Sequence, residues 1–263
     1  MSKQLLVKKL SSIKKSKKIV GSLECIALHR TRSGMQALIN SRKYLSIQSD
    51  MLACVPKLIS VNPVASLYDI ILMGNQSGLC FSISDGLLKR LLKELKKRGT
   101  GVRLWVSGQN FFSKKHHKLQ TLGLAELHYI PKQGLRDFVT PWVTDWLNGT
   151  ISKLYLIYPK FHNIYRHEIV TKDVLATQPN HNSEIEVLPD MPLNQAQALE
   201  LYLIAVLHNA YHEANLAECA VKGISMKVAK DNADDLMQKY NIKIRTVTQG
   251  LITQELNELM IGN

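Results

Sequence analysis

The sequence predicts a mixed α/β fold: a long antiparallel coiled coil of the N- and C-terminal helices, with a small Rossmann-like, largely parallel α/β domain inserted between them. Three observations predict it. Proline is absent from Gln4 to about Met51 and again from about Asn194 to Ile261. Apolar or small residues recur at three-and-four spacing through both stretches, the period of a helical seam. Between them, short apolar runs alternate with amphipathic ones, the pattern of strands alternating with helices.

The first helix carries Leu6, Leu10, Ile13, Val20, Leu23, Ala27 and Leu38 close to heptad spacing. Pro56 and Pro63 then break it and open a linker. The middle follows in order. Tyr68–Met73, Val102–Val106, Leu127–Ile130 and Lys153–Tyr158 read as strands, and Asp85–Arg98, Phe111–Leu122 and Leu135–Leu147 as helices. After Pro159, Phe161–Val170 reads as an extended excursion, and Glu184–Leu188 as a last strand before Pro189 and Pro192. The last helix would run roughly 100 Å at 1.5 Å per residue, far beyond the usual three or four turns. Its seam runs through Leu199, Leu203, Val206, Ala210, Ala217, Ala220, Ile224 and Val228. After a charged interruption near Asp231 it resumes at Tyr240, Ile244, Val247 and Leu251. Ala217, Ala220, Gly223, Ala229 and Ala233 would let a second backbone approach closely. The expected divisions are therefore residues 1–55, 64–190 and 191–263.

Charge separates the two ends. The 263 residues carry a net charge of +13. Residues 1–43 hold eleven Lys or Arg against one acid, Glu24, whereas residues 190–263 hold six basic and nine acidic residues. That asymmetry favours antiparallel pairing, although single exposed ion pairs contribute only about 0–1 kcal/mol, so the apolar seam must do most of the holding. An isoelectric point of about 9.5 invites a basic nucleic-acid-binding coiled coil as the alternative. Against it, the lysines follow a coherent apolar seam and no aromatics interleave with them. No apolar run approaches the roughly 20 residues that span a bilayer. The basic start is followed by no signal-peptide core or cleavage site. Cys25, Cys54, Cys80 and Cys219 lack metal or disulfide-framework spacing, which points to a reducing cytosol.

Catalytic constellations are not expected. The loop Gly74-Asn-Gln-Ser-Gly78-Leu-Cys80 lacks both phosphate-binding glycine fingerprints, so it reads as a tight turn and no nucleotide cofactor is implied. His116 and His117 are adjacent and face apart. His208 and His212 have a metal-pair spacing, but no third ligand accompanies them, so no metal is expected. His162 and His167 have no identifiable partner. Ser84, Ser107 and Ser113 sit in no nucleophile elbow, and Asp69 and Asp85 have no paired carboxylate.

Three blocks then resemble the gamma subunit of F-type ATP synthases over nearly the whole chain. The first runs from Lys9 through Ile13, Lys18 and Leu23 to Ala27. The second is Ile71 to Cys80 with Tyr155 to Phe161. The third sets Glu218, Ala220, Met226, Asp231, Asn232 and Ala233 ahead of Gln249, Ile252, Thr253, Gln254, Glu255, Leu256, Glu258 and Gly262, matching the family's C-terminal order and spacing. The resemblance implies a non-catalytic rotor shaft. Its coiled coil would turn inside a ring of alpha and beta subunits, one gamma per three alpha–beta pairs, with the α/β domain at the base against epsilon and the membrane c-ring. It would lie peripherally on the cytoplasmic face of the inner membrane. By position, Gln249, Thr253 and Glu255 match family residues that contact catch loops of the beta subunits. Lys17, Lys18 and Leu23 match the helix region facing the beta C-terminal levers. Departures are visible: Thr248 stands where the family has arginine, Gly74-Asn-Gln-Ser-Gly78 replaces its Ser-Asp-basic-Gly, and Ser22-Leu23 replaces its Ala-Met pair. These suit a divergent or second-copy F-type enzyme.

Overall fold

Residues 2–53, 68–98, 101–130, 135–148, 150, 153–174 and 195–261 are described by a computed structural model. The expectations at Cys54, Pro56, Pro63, Glu184–Leu188, Pro189, Pro192, Asn194 and Gly262 lie outside the described residues. The elements in order are α1 (Lys3–Ala53), β1 (Tyr68–Met73), α2 (Phe81–Arg98), β2 (Val102–Ser107), α3 (Gln109–Gln120), β3 (Glu126–Ile130), α4 (Leu135–Leu147), β4 (Lys153–Asn163), β5 (Arg166–Asp173) and α5 (Gln195–Ile261). Two compact units are formed, one from the residues up to His29 with those from Lys222 onward, the other Arg30–Val221.

The first unit is a two-helix antiparallel pair. Going down α1 and up α5, a Cβ placed on Gly223 would lie 3.7 Å from Ala27, Glu24 meets Lys230 at 3.1 Å, and Lys17 meets Asp234 at 2.5 Å. Leu6, Leu10, Ile13, Lys17, Val20, Glu24 and Ala27 face inward at alternating four and three spacing, and Met226, Lys230, Ala233, Met237, Tyr240, Ile244 and Val247 answer them. The seam is thus partly polar. Hydrogen bonding to Glu24 raises the Lys230 ammonium above its ordinary pKa. Such solvent-screened pairs fix register more than they hold the helices together. Leu23, expected in the seam, lies outside it and is exposed, because Glu24 takes the inward position; Val228 and Leu251 are exposed as well.

The second unit is built on a five-stranded sheet of order β3-β2-β1-β4-β5. β3, β2, β1 and β4 are parallel, and β5 is antiparallel to β4. The central strand β1 is apolar along most of its length because it is covered on both faces. Ile71 and Met73 join Leu154, Leu156, Val139, Trp142, Tyr202, Leu203 and Val206 under α4 and α5. Ile70 and Leu72 join Leu104, Val106, Ile83, Leu87, Leu91, Phe111 and Leu119 under α2 and α3. The same unit holds the rest of α1 against α5, where a Cβ on Gly34 would stand 3.0 Å from Leu216.

Two local expectations change. Phe161–Val170 is not an excursion but the turn of a hairpin. β4 continues through Pro159, which pairs with Ile169, and Asn163 Oδ1 accepts the N–H groups of Tyr165 (2.9 Å) and Arg166 (2.8 Å) to close the bend. Asp69, read as an isolated acid, is fully buried and accepts both Nε (2.7 Å) and Nη2 (2.9 Å) of Arg103, its neighbour on β2. Burial pushes its carboxyl above the usual range, against the pull of Arg103, and Asp69 in turn holds the guanidinium more firmly protonated.

Two predictions follow from this packing. Gly108 has φ +104, and an added Cβ would stand 2.4 Å from the Gly74 carbonyl oxygen. Gly108→Ala should therefore destabilise the sheet unit by about 2 kcal/mol or more, read by urea denaturation. His167 is half-buried and its pKa is depressed below 6.5. The unfolded chain then takes up a proton first, so stability supplied by neutral His167 is complete above about 6.5 and is lost as pH falls through the folded pKa. His167→Gln should flatten the fall in melting temperature between pH 7 and pH 5.

Candidate partner-binding surface

In sheets of this kind a ligand's place is the crevice beyond the carboxyl ends of the strands, where the order reverses. Here the reversal lies between β1 and β4, and the loop Gly74–Cys80 leaves β1 at that point. The chain has filled it. Gln76 N–H donates to Glu218 Oε2 at 2.9 Å, Ser77 N–H donates to Oε1 at 3.0 Å, and the Ser77 hydroxyl donates to Oε1 as well. Successive backbone N–H groups that elsewhere cradle an anion thus hold a carboxylate from α5. Asn75 locks the loop further, donating from Nδ2 to the Ser77 carbonyl (2.6 Å) and accepting the Ser84 hydroxyl at 2.7 Å. The residual cavity beside it is about 90 Å³. Its lysines are engaged, Lys115 with Asp85 at 3.0 Å and Lys114 over the Phe81 ring.

The histidines are dispersed. His208 and His212 stack with ring centroids 6.4 Å apart, His116 lies edge-on to Phe112, and His162 stands 3.5 Å from Glu168. Among the described residues no three His, Cys, Asp or Glu come together to hold a metal ion. Cys25 is exposed, and the side chains of Cys80 and Cys219 are buried.

What remains open is the far end of α5. Beyond Thr248 it has no seam, and every described residue from Gln249 to Ile261 is exposed. Leu251, Ile252, Leu256, Leu259, Met260 and Ile261 run from 44% to 86% exposed. Gln249, Thr253 and Glu255 lie on this stretch; the Thr253 hydroxyl donates to the Gln249 carbonyl at 2.9 Å. Lys18 and Leu23 are exposed on α1, whereas Lys17 is partly buried against Asp234. The clasp made by Glu218 has no signature in the sequence, because its two sides lie 141 and 142 positions apart. Nor has the ion pair of Arg42 with Glu213 (3.0 Å), since residues 171 positions apart carry no shared local signal.

Against known proteins, a family model described as "ATP synthase" matches residues 2–263. A curated ATP synthase gamma chain of Mycoplasma mobile is 23% identical over 280 aligned positions, covering 99% of this chain and 97% of the relative. That of Legionella pneumophila is 26% identical over 278, covering 97% and 96%. Among solved structures, the rotor of the Euglena gracilis mitochondrial ATP synthase in rotational state 1 matches with a TM-score of 0.60 at 14% identity, covering 95% of this chain and 98% of that one. A second Euglena gracilis structure, described as OSCP/F1/c-ring in rotational state 3, matches at 0.63 and 16%, covering 98% and 92%. At these identities the structural likeness concerns the fold.

Glu218→Ala should leave the two loop N–H groups without their acceptor. We expect a loss of about 2–3 kcal/mol, with faster amide hydrogen exchange concentrated at Gln76 and Ser77.

Proposed function

The chain belongs to the gamma-chain family of ATP synthases, and we propose that it is the central rotor shaft of an F-type ATP synthase or ATPase. In this reading it is non-catalytic. It couples ion flow through the membrane sector, protons or sodium ions as the c-ring dictates, to synthesis or hydrolysis of ATP on beta subunits. The observation that carries it is the bare end of α5: roughly three turns bearing apolar side chains that no other described residue covers. Such a surface persists in water only when another molecule surrounds it, and a ring of alpha and beta subunits is the sleeve we assign. Functionally we divide the chain into shaft, residues 1–55 and 191–263, and base, residues 64–190, which would meet epsilon and the c-ring at the cytoplasmic face of the membrane. In keeping with a peripheral role, no helix among the described residues is long and apolar enough to cross a membrane.

We assign Gln249, Thr253 and Glu255 to contacts with beta catch loops, and Lys18 and Leu23 to the beta levers. Lys17 would join them through its stem, its charge being held by Asp234. The decisive experiment is co-expression with alpha and beta partners. A hydrolytically active complex holding one copy of this chain per three alpha–beta pairs supports the shaft. Alpha and beta assembling while the chain stays outside, with steeply salt-dependent DNA binding by the free chain, would favour the nucleic-acid alternative instead.

Within such a complex, joint replacement of Gln249, Thr253 and Glu255 by alanine should leave assembly intact. It should lower ATP turnover about tenfold, equivalent to about 1.4 kcal/mol of lost coupling, measured as steady-state hydrolysis.

A further inference from the structure

A second site lies in the Arg30–Val221 unit, on the sheet face away from α2. There the β4–β5 hairpin, α1 and α5 enclose an open cavity of about 420 Å³, within the size range of small-molecule sites. Its lining divides by charge. Asn209 and Glu213, one helical turn apart on α5, are each more than nine-tenths buried. Glu213 Oε1 accepts Arg42 Nη2 at 3.0 Å and Nε at 3.3 Å, but Glu213 Oε2 and Asn209 Oδ1 accept nothing among the described residues. Two buried acceptors without a donor, on residues that line a cavity, are an unusual polar deficit. Around them stand Arg42, Lys160, Lys172 and His162. Lys160 and Lys172 have no ion-pair partner among the described residues. Tyr158 also lines the cavity. Burial and the Glu213 charge raise its phenol to about 12, so it remains a hydrogen-bond donor at physiological pH.

This polarity excludes simple ions. A bare anion attracted by Lys160 and Lys172 leaves the two acceptors unsatisfied and meets the Glu213 carboxylate. A bare cation drawn to Glu213 meets the positive charges of Arg42, Lys160 and Lys172. A dipolar ligand satisfies both ends. We propose that this cavity binds a small phosphorylated molecule whose amino or hydroxyl groups donate to Glu213 Oε2 and Asn209 Oδ1 while its phosphate is held by Lys160 and Lys172. The site is separate from the Glu218 clasp and from the exposed end of α5, so it requires no part of the shaft reading.

The test is isothermal titration calorimetry on the purified full chain with AMP, ribose 5-phosphate and inorganic phosphate as probes. AMP or ribose 5-phosphate should bind saturably and at least about tenfold more tightly than inorganic phosphate, a difference of about 1.4 kcal/mol. Lys160→Glu combined with Lys172→Glu should weaken that binding about tenfold or more and reduce its salt dependence. Asn209→Leu keeps the side-chain volume but deletes the open acceptor, and it should remove the preference for the organic phosphate over inorganic phosphate. Thermal melts of each variant separate lost binding from lost folding, and the two lysines are only partly buried, so their variants keep the test intact if Asn209→Leu fails to fold. The proposal is overturned if neither organic phosphate binds more tightly than inorganic phosphate, which would mean water alone completes the acceptors. It is equally overturned if the double lysine variant binds as well as the parent chain.

Discussion

A helix of 67 residues cannot be kept in one piece by its own hydrogen bonds and propensities. It needs an apolar or paired flank along its length, and that need organises the chain. Where α1 runs alongside, the two helices share alternating four-and-three contacts, with glycine and alanine at the closest approaches. In the Arg30–Val221 unit the demand is met by the sheet, through Tyr202, Leu203 and Val206. Only after Thr248 is there nothing among the described residues to meet it. The exposed end of α5 is therefore the remainder of a requirement that is satisfied along the rest of the described helix.

The polar members of the seam qualify that picture. A pair of helices held only by leucine could slide by a heptad with little penalty. Lys17 with Asp234 and Glu24 with Lys230 make one register distinct, because any slip separates both pairs at once. Sidedness follows too. Lys18 and Leu23, adjacent to these inward positions, are turned outward by the same geometry. Which side chains α1 turns outward is thus set by the residues it turns inward.

Much of this was legible from periodicity alone. The two terminal helices, the three helices between strands and the first four strands were read close to their observed places, because each is long or strongly patterned. The hairpin of β4 and β5 was not, since Pro159 reads as a break; β4 carries it past the end of its pairing with β1, where one side of the strand has no ladder to lose. Leu23 was misplaced because a leucine beside a glutamate looks like the seam residue when hydrophobicity is the sole guide. Register, decided here by ion pairs 206 and 217 residues apart in sequence, leaves no local trace. The clasp at Glu218 and the cavity at Asn209 and Glu213 were illegible for the same reason. They depend on which turn of α5 lies over which loop, a fact of tertiary packing. By contrast the exposed stretch bearing Gln249, Thr253 and Glu255 came from motif order, and the structure adds only that these side chains are uncovered.

The carboxylate of Glu218 in the loop after β1 has one more consequence. A phosphate held by such a loop comes and goes with its concentration in the cell. A tethered anion does not. Its effective concentration is set by covalent connection and by the stiffness of the helix that carries it, so the loop is in its liganded state at all times, whatever the surrounding metabolite pool. At the point where such sheets offer their amides to a free anion, this one offers them to a part of itself.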